Sequence, residues 1–159
     1  MPKLSSGLII FRRVRNSLEV FLVHPGGPFW LNKDLGAWSI PKGEHLPNED
    51  SLAAARREFE EETSVTVPPG KPLALTSVKQ ISGKVIQAWA IEGDFDASLV
   101  RSNLFSMEWP PGSGKLRQFP EIDRGEWFLL NLARQKISQG QVSLLDELAS
   151  MINEKSTWS

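Results

Sequence analysis

The chain has 159 residues, 40% of them hydrophobic and 23% charged, and its formal net charge at pH 7 is -1. This length can bury a sizeable core, so we expect a single domain over residues 1–159. The balanced charge excludes strong electrostatic attraction to a membrane surface or a long nucleic acid. The absence of cysteine excludes disulfides and thiolate metal sites. Because we find no signal-peptide core and no apolar run of about 20 residues, we expect a cytoplasmic location.

Hydrophobic patterns predict strands at both ends of a central helix, with two more helices at the end of the chain. A loop rich in proline and glycine is expected at 24–36. The central helix is expected to begin at Asp50 or Ser51, either of which can cap it. This order predicts a mixed α/β arrangement. The predicted strands are 6–11, 18–23, 37–40, 65–67, 72–80, 84–92, 105–109 and 124–129, and the later helices are 130–137 and 142–152.

Three carboxylates of the central helix share one face. Glu58, Glu61 and Glu62 follow the i, i+3, i+4 spacing, at which like charges destabilise a helix by a few tenths of a kcal/mol. A hard divalent cation such as Mg²⁺ would offset this repulsion, because it prefers oxygen ligands. The alternative is a solvated acidic face held by Arg56 and Arg57.

The spacing of polar residues around this helix is distinctive. Five residues separate Gly43 from Glu49, seven more precede Arg57-Glu58, and Glu61-Glu62 follow after Phe59 and one further residue. This pattern resembles the signature of the Nudix hydrolases, G-x5-E-x7-R-E-U-x-E-E-x-G-U, where U is apolar. Every charged position matches. Ser64 stands where the family has glycine, and Phe59 is bulkier than the usual aliphatic residue.

The resemblance implies a fold, an activity and a metal site. The fold would be the Nudix fold, an α/β (α+β) mixed sheet sandwiched between helices. The activity would be hydrolysis of a phosphoanhydride bond in a nucleoside diphosphate linked to another group, with Mg²⁺, or alternatively Mn²⁺. The implied metal ligands are the carboxylates of Glu58, Glu61 and Glu62 and the backbone carbonyl of Gly43.

The resemblance also implies catalytic roles. Glu58 and Glu61 are candidates for the general base within the signature, and Arg57 is expected to pair with Glu49 and so orient the metal ligands. Outside the signature, Glu121 matches the position of a further metal-binding or catalytic glutamate in several Nudix enzymes.

Residues before the signature suggest how a small nucleotide would bind. The tract 38–43 looks like the W-x-x-P-K-G of dinucleoside polyphosphate hydrolases, which favours dinucleoside polyphosphates or nucleoside triphosphates as substrates. Lys42 can meet a phosphate, with a surface lysine as the alternative. Trp38 and Trp30 can stack on a base, although either can equally anchor the core or the loop. His24 and His45 can each shuttle a proton or serve as ordinary hydrogen-bonded residues.

Two other interpretations are open. A catalytically silent Nudix domain would bind a nucleotide as a sensor or bind another protein, and a purely structural acidic helix would do neither. The sequence does not reveal the oligomeric state. Ser64 is expected to cost stability, because glycine takes a left-handed helix end more easily.

Overall fold

A computed structural model describes residues 3–157, with side chains as far as Asn153. The predicted domain, 1–159, therefore extends beyond the described residues at both ends. Within residues 3–157, nine strands form a seven-stranded mixed sheet and a separate two-stranded ribbon. In chain order they are Leu4–Val14 (β1), Ser17–Pro25 (β2), Lys42–His45 (β3), Leu73–Ala74 (β4), Val78–Lys79 (β5), Val85–Glu92 (β6), Leu104–Glu108 (β7), Leu116–Pro120 (β8) and Ile122–Leu129 (β9).

Helices cover both faces of the large sheet, as predicted. They are Ser51–Thr63 (α1), Leu130–Lys136 (α2) and Val142–Thr157 (α3). Alternate side chains of a strand point to opposite faces. In β1, Leu8 and Ile10 pack with Phe59 of α1, while Ile9 and Phe11 pack in the cluster that contains α3. The centre of the sheet is therefore apolar on both faces and fixes the position of α1.

The two ends of α1 follow the sequence expectations. The Asp50 carboxylate caps the start, accepting a 2.9 Å hydrogen bond from the Ala53 backbone N–H. Ser64 ends the helix in the left-handed region, with φ of 61°. Its hydroxyl donates a 2.6 Å hydrogen bond to the Arg101 carbonyl, which ties the helix end to a distant loop.

Several predicted strands are wrong. Residues 37–40 make only two isolated bridges, through Trp38 and Ser39, and residues 65–67 form no strand. The predicted strand 72–80 is broken into the short β4 and β5. Residues 105–109 correspond to β7, whereas β3 and β8 were not predicted because their sequences lack apolar alternation.

Candidate active site

The start of the signature lies directly against its helix. Gly43 is in β3, and a Cβ atom built on it would lie 1.9 Å from Oε2 of Glu58. No larger residue fits at Gly43 unless the carboxylate moves. The glycine of the motif therefore allows the backbone of β3 and a helix carboxylate to approach closely.

Arg57 joins the two acidic residues expected near it. It donates to the Glu49 carboxylate, and its Nη2 donates a 3.0 Å hydrogen bond to Oε1 of Glu58. The predicted Arg57–Glu49 ion pair is therefore present. The guanidinium holds one oxygen of Glu58 while the other faces Gly43, so the orientation of this carboxylate is restricted on two sides.

Glu62 is the most strongly perturbed group of the site. Burial raises its pKa from the ordinary 4.5 to about 8, and the negative charges of Glu58 and Glu121 act in the same direction. The positive charge of Lys42 and a hydrogen bond from its backbone partly offset this rise. Glu58, Glu62, Glu121 and Lys42 are thus close enough to influence one another electrostatically.

Glu61 and Glu121 are more exposed members of this group. Oε1 of Glu61 lies 3.8 Å from Nε of Arg57, and 54% of its side chain is exposed. Glu121 lies between β8 and β9, where its backbone accepts a hydrogen bond from Gly26 and donates one to Asn103. Its charge acts on Glu62. The structure therefore brings Glu121 to the signature carboxylates from a distant part of the chain.

The donor set suits a hard divalent cation. Among the described residues, no three acidic or histidine side chains already converge tightly enough to hold an ion. The chemistry nevertheless fits, because carboxylate oxygens next to a bare glycine backbone are the ligands that Mg²⁺ prefers. Burial is the main cause of the raised pKa of Glu62, and a bound divalent cation would favour the ionised form of this carboxylate.

A cavity of about 290 Å³ opens beside Glu62. Three predicted substrate-binding residues, Lys42, Trp38 and Trp30, line it together with Glu62. Burial and the charge of Lys84 lower the pKa of the Lys42 ammonium, while Glu62 and Glu44 oppose that shift. The cavity thus combines charged side chains with aromatic ones.

The two tryptophans differ in exposure. Trp38 is 1% exposed, its indole N–H donates a 2.8 Å hydrogen bond to Asp34, and it contacts the Phe128 ring edge to face. It is a core residue whose edge forms part of the cavity wall. Trp30 is 39% exposed, and Nζ of Lys33 lies 5.0 Å from the centroid of its ring. Trp30 is therefore the better candidate for stacking.

Three cavity residues were missed by sequence reasoning. Gln80, Ser138 and Gln141 come from the turn after β5 and from the segment between α2 and α3. Gln141 is 1% exposed, and its side-chain carbonyl accepts a 3.0 Å hydrogen bond from the Ile40 backbone. Only folding brings these polar residues to the cavity, since no local motif contains them.

The two histidines lie in strands and not in loops. His24 is completely buried near the end of β2, and both of its ring nitrogens have hydrogen-bond partners. His45 ends β3, and its Nδ1 lies 2.8 Å from the Leu46 carbonyl. Nε2 of His45 is buried without a hydrogen-bond partner among the described residues. Of the two histidines, His24 thus has both ring nitrogens occupied, and a role for either as a proton shuttle stays a prediction.

Comparison with known proteins agrees with this fold and acidic site. A family model described as NUDIX domain matches residues 1–148. No curated protein sequence matches the chain. A crystal structure of a C. elegans Ap4A hydrolase binary complex has a TM-score of 0.65 at 20% identity, covering 94% of this chain and 98% of that one.

Two further structures share the fold at similar distance. The NUDIX domain of Shewanella oneidensis NrtR, complexed with ADP ribose, has a TM-score of 0.64 at 17% identity, covering 96% of this chain and 89% of that one. A mutT/nudix family protein from Listeria innocua has a TM-score of 0.65 at 17% identity, with coverage of 100% and 99%. At these identities the similarity establishes the fold.

The chain belongs to the Nudix domain family, since the family model covers most of its length. It is classed accordingly as a Nudix pyrophosphohydrolase, and enzymes of this family generally use divalent metal ions. Within the described part of the chain, no helix is long and apolar enough to cross a membrane.

Proposed function

We propose that the protein hydrolyses a phosphoanhydride bond in a nucleoside diphosphate linked to a second group, with Mg²⁺ as its metal. One observation carries this proposal. A single cavity is lined by both Glu62 and Lys42 and by the aromatic side chains of Trp30 and Trp38. The charged groups suit a diphosphate and its metal, and the aromatic groups suit a nucleobase.

The metal would be held by Glu58, Glu61 and Glu62, with the carbonyl of Gly43 as an additional ligand. Bound there, a divalent cation neutralises phosphate charge and makes a bound water more acidic. Glu49 and Arg57 would keep Glu58 in position through their ion pairs. Lys42, at the cavity, would bind a phosphate oxygen as a point charge.

Several carboxylates are candidates for accepting the proton of the attacking water. Glu58 and Glu61 lie within the signature, and Glu121 approaches from outside it. The exposure of Glu61 and Glu121 supports these two as the groups that reach solvent, since Glu58 is held by Arg57.

The substrate class is proposed from the residues before the signature. The tract from Trp38 to Gly43 favours dinucleoside polyphosphates or nucleoside triphosphates. The chain has no tyrosine, so a base-stacking tyrosine after the signature is not available, and Trp30 would take that role. The proposed partner is a small nucleotide and not a long nucleic acid.

A substrate panel with matched variants tests the proposal. Phosphate and pyrophosphate release would be measured with Mg²⁺ for dinucleoside polyphosphates, nucleoside triphosphates, nucleotide sugars and ADP-ribose. Glu61→Gln is expected to lower turnover by about a thousandfold. The control is Glu60→Gln, an exposed residue of the same helix whose carboxylate accepts a hydrogen bond from Val67, which glutamine can also accept.

The remaining outcomes separate the alternatives. Tight nucleotide binding without metal-stimulated turnover would favour a sensor domain over an enzyme. Turnover unaffected by Glu61→Gln would show that Glu61 is not a metal ligand or base. A folded protein that binds neither metal nor nucleotide would leave the acidic helix with a structural role only.

A further inference from the structure

One face of the two-stranded ribbon formed by β7 and β8 is turned toward the rest of the protein. Phe105 and Met107 of β7 are partly buried, whereas the residues on either side of them are exposed. Successive side chains of a strand point to opposite faces, so the buried positions share one face. Trp109 continues this alternation and is also partly buried. Its backbone N–H donates a 3.0 Å hydrogen bond to the Lys115 carbonyl, so the pairing of the two chain segments extends to Trp109.

A turn in the loop after β2 lies against this face of the ribbon. The turn is closed by a 3.2 Å hydrogen bond from the Trp30 backbone N–H to the Gly27 carbonyl. The ring of Phe105 lies against Gly27, because a Cβ atom built on this glycine would be 3.0 Å from Cζ of Phe105. The rings of Phe29 and Trp109 pack edge to face, with 5.4 Å between their centroids. The ribbon therefore contacts the first and the third residue of the turn.

The fourth residue of the turn is the cavity residue Trp30. Trp30 lines the cavity together with Lys42 and Glu62, so the conformation of the turn decides where its ring lies. The far end of the same loop is held by the backbone, since the Gly36 N–H donates a 3.0 Å hydrogen bond to the Gln135 carbonyl. The Phe29–Trp109 pair thus holds the turn from outside the loop, one residue before Trp30.

The two ends of the ribbon are held by different contacts. At the open end, the Glu121 N–H donates a 2.8 Å hydrogen bond to the Asn103 carbonyl, and the Glu121 carbonyl accepts a 2.8 Å hydrogen bond from the Gly26 N–H. These bonds involve the backbone only, so a change of the Trp109 side chain at the closed end leaves them in place. The open end therefore fixes Glu121, and the closed end contacts the turn through aromatic side chains.

We propose that Trp109 is a positioning residue that acts through Phe29 to hold Trp30 in place for the base of a bound nucleotide. The effect on nucleotide binding rests on the proposed function, whereas the coupling of the ribbon to the turn does not. Packed aromatic pairs stabilise a contact beyond the area that they bury. A ring that is already held in place loses less conformational freedom when a ligand binds. Loss of Trp109 is therefore expected to weaken nucleotide binding without slowing the chemical step.

Amide hydrogen exchange tests the coupling without any ligand. The Trp30 backbone N–H is bonded within the turn, so its exchange rate reports how often the turn opens. Trp109→Ala is expected to speed this exchange about fivefold, and Trp109→Phe to restore a slower rate, because an aromatic pair is kept. The control is Leu116→Ala, which removes a 77% exposed apolar side chain from the other face of the ribbon, opposite Glu108. Equal exchange at Trp30 in the wild type and Trp109→Ala would overturn the proposal.

Binding and kinetics test the consequence for the ligand. With Mg²⁺ present, Trp109→Ala is expected to raise the Kd of ADP about fivefold and to leave the Kd of inorganic pyrophosphate unchanged, because only ADP carries a base. With a nucleotide substrate, KM is expected to rise by the same factor with little change in kcat. Equal losses of affinity for ADP and pyrophosphate would overturn the role in holding the ring for a base.

A second variant keeps the test decisive if Trp109→Ala does not fold. Phe29→Ala removes the other ring of the pair, and Phe29 is 56% exposed, so its loss leaves the core intact. It is expected to change KM as Trp109→Ala does. Because both residues act through one contact, the double variant is expected to be no worse than either single variant. Additive effects on KM would overturn the proposal.

The remaining outcomes separate this proposal from the proposed function. Faster exchange at Trp30 in Trp109→Ala, in a protein that neither binds nor hydrolyses nucleotides, would contradict the proposed function and support the coupling of the ribbon to the turn. A fall in kcat at unchanged KM in Trp109→Ala would overturn the positioning of Trp30 and indicate that the ribbon acts through Glu121.

Discussion

The signature glutamates and the rest of the cavity lining are brought together in different ways. Lys42, Glu58 and Glu62 come from one short stretch of chain, and the helix period puts the two glutamates on one face. The cavity lining also contains the distant Trp30 and residues from the turn after β5 and from the segment between α2 and α3. The carboxylates proposed to bind the metal are thus close together in the sequence. The residues proposed to contact the base come together only when the chain folds.

We therefore expect a methyl group added at Gly43, beside Glu58, to have a larger effect than one added at Gly140. In Gly43→Ala the new Cβ would displace the Glu58 carboxylate, which is the flexible end of a side chain. We expect kcat to fall about a hundredfold, since small misplacements of reacting groups are costly, while thermal stability changes little. The matched control is Gly140→Ala, in the segment between α2 and α3, where the atom nearest to the new Cβ would be Cγ of Gln80, 3.5 Å away.

The outcome of that pair is informative in both directions. If both variants keep full activity, the close approach of Glu58 to Gly43 has no catalytic importance. If Gly140→Ala lowers kcat more than Gly43→Ala does, the segment between α2 and α3 matters more for the reaction than the signature does.

The effect of burying Glu62 on stability can be measured without substrate. Because the folded-state pKa of Glu62 is raised from 4.5 to about 8, the folded state favours the protonated form. The contribution of Glu62 to the free energy of unfolding of the metal-free protein should therefore be greatest below pH 4.5 and decline as pH rises toward 8. Glu62→Gln should remove this decline, which we expect to be on the order of a few kcal/mol.

Denaturant titration in a chelator over a pH series checks this expectation. Glu60→Gln, an exposed residue of α1, is the control and should retain the decline. Addition of Mg²⁺ to the wild type should reverse it, because a bound cation favours the ionised carboxylate. If the free energy of unfolding changes with pH in the same way in the wild type and in Glu62→Gln, the pKa of Glu62 is not raised in the folded state.

Removing the ring of Trp30 should have a smaller effect, confined to substrate binding. Trp30→Ala removes this partly exposed ring, and the stacking of a base on an aromatic side chain contributes about 1–3 kcal/mol. We expect KM to rise about tenfold with kcat nearly unchanged, whereas Trp30→Phe should retain most of the affinity. Equal losses in both variants would indicate that Trp30 serves the loop and not the ligand.

The same contrast explains what the sequence could predict. The start of α1 depends on neighbouring residues and was predicted at Asp50 or Ser51, of which Asp50 is the cap. The sequence also marked Ser64 as the place where a left-handed residue would be needed, and Ser64 is left-handed. The ion pair of Arg57 with Glu49 followed from motif spacing. Glu121 was suggested by the family resemblance, but its electrostatic link to Glu62 depends on a contact across the fold.

The errors arise where tertiary structure overrides local pattern. Residues 65–67 are β-branched and suggest a strand, yet they pair with no strand. The polar sequence of β3 becomes a strand only because β1 offers an edge to pair with. The hydrogen bonds of His24 with Asp123 and with the Lys33 carbonyl join three segments that no sequence period relates, so the histidine was assigned to a loop.

The parallel pairing of β1 with β6 has a consequence for how the chain folds. These strands align from Leu4 opposite Val85 to Phe11 opposite Glu92, so about half of the chain must be available before they meet. Long-range parallel contacts close large loops and form slowly. The β1–β2 hairpin can form early, while the other edge of β1 stays unpaired during synthesis. We expect this exposed edge to be the part of the nascent protein most in need of a chaperone.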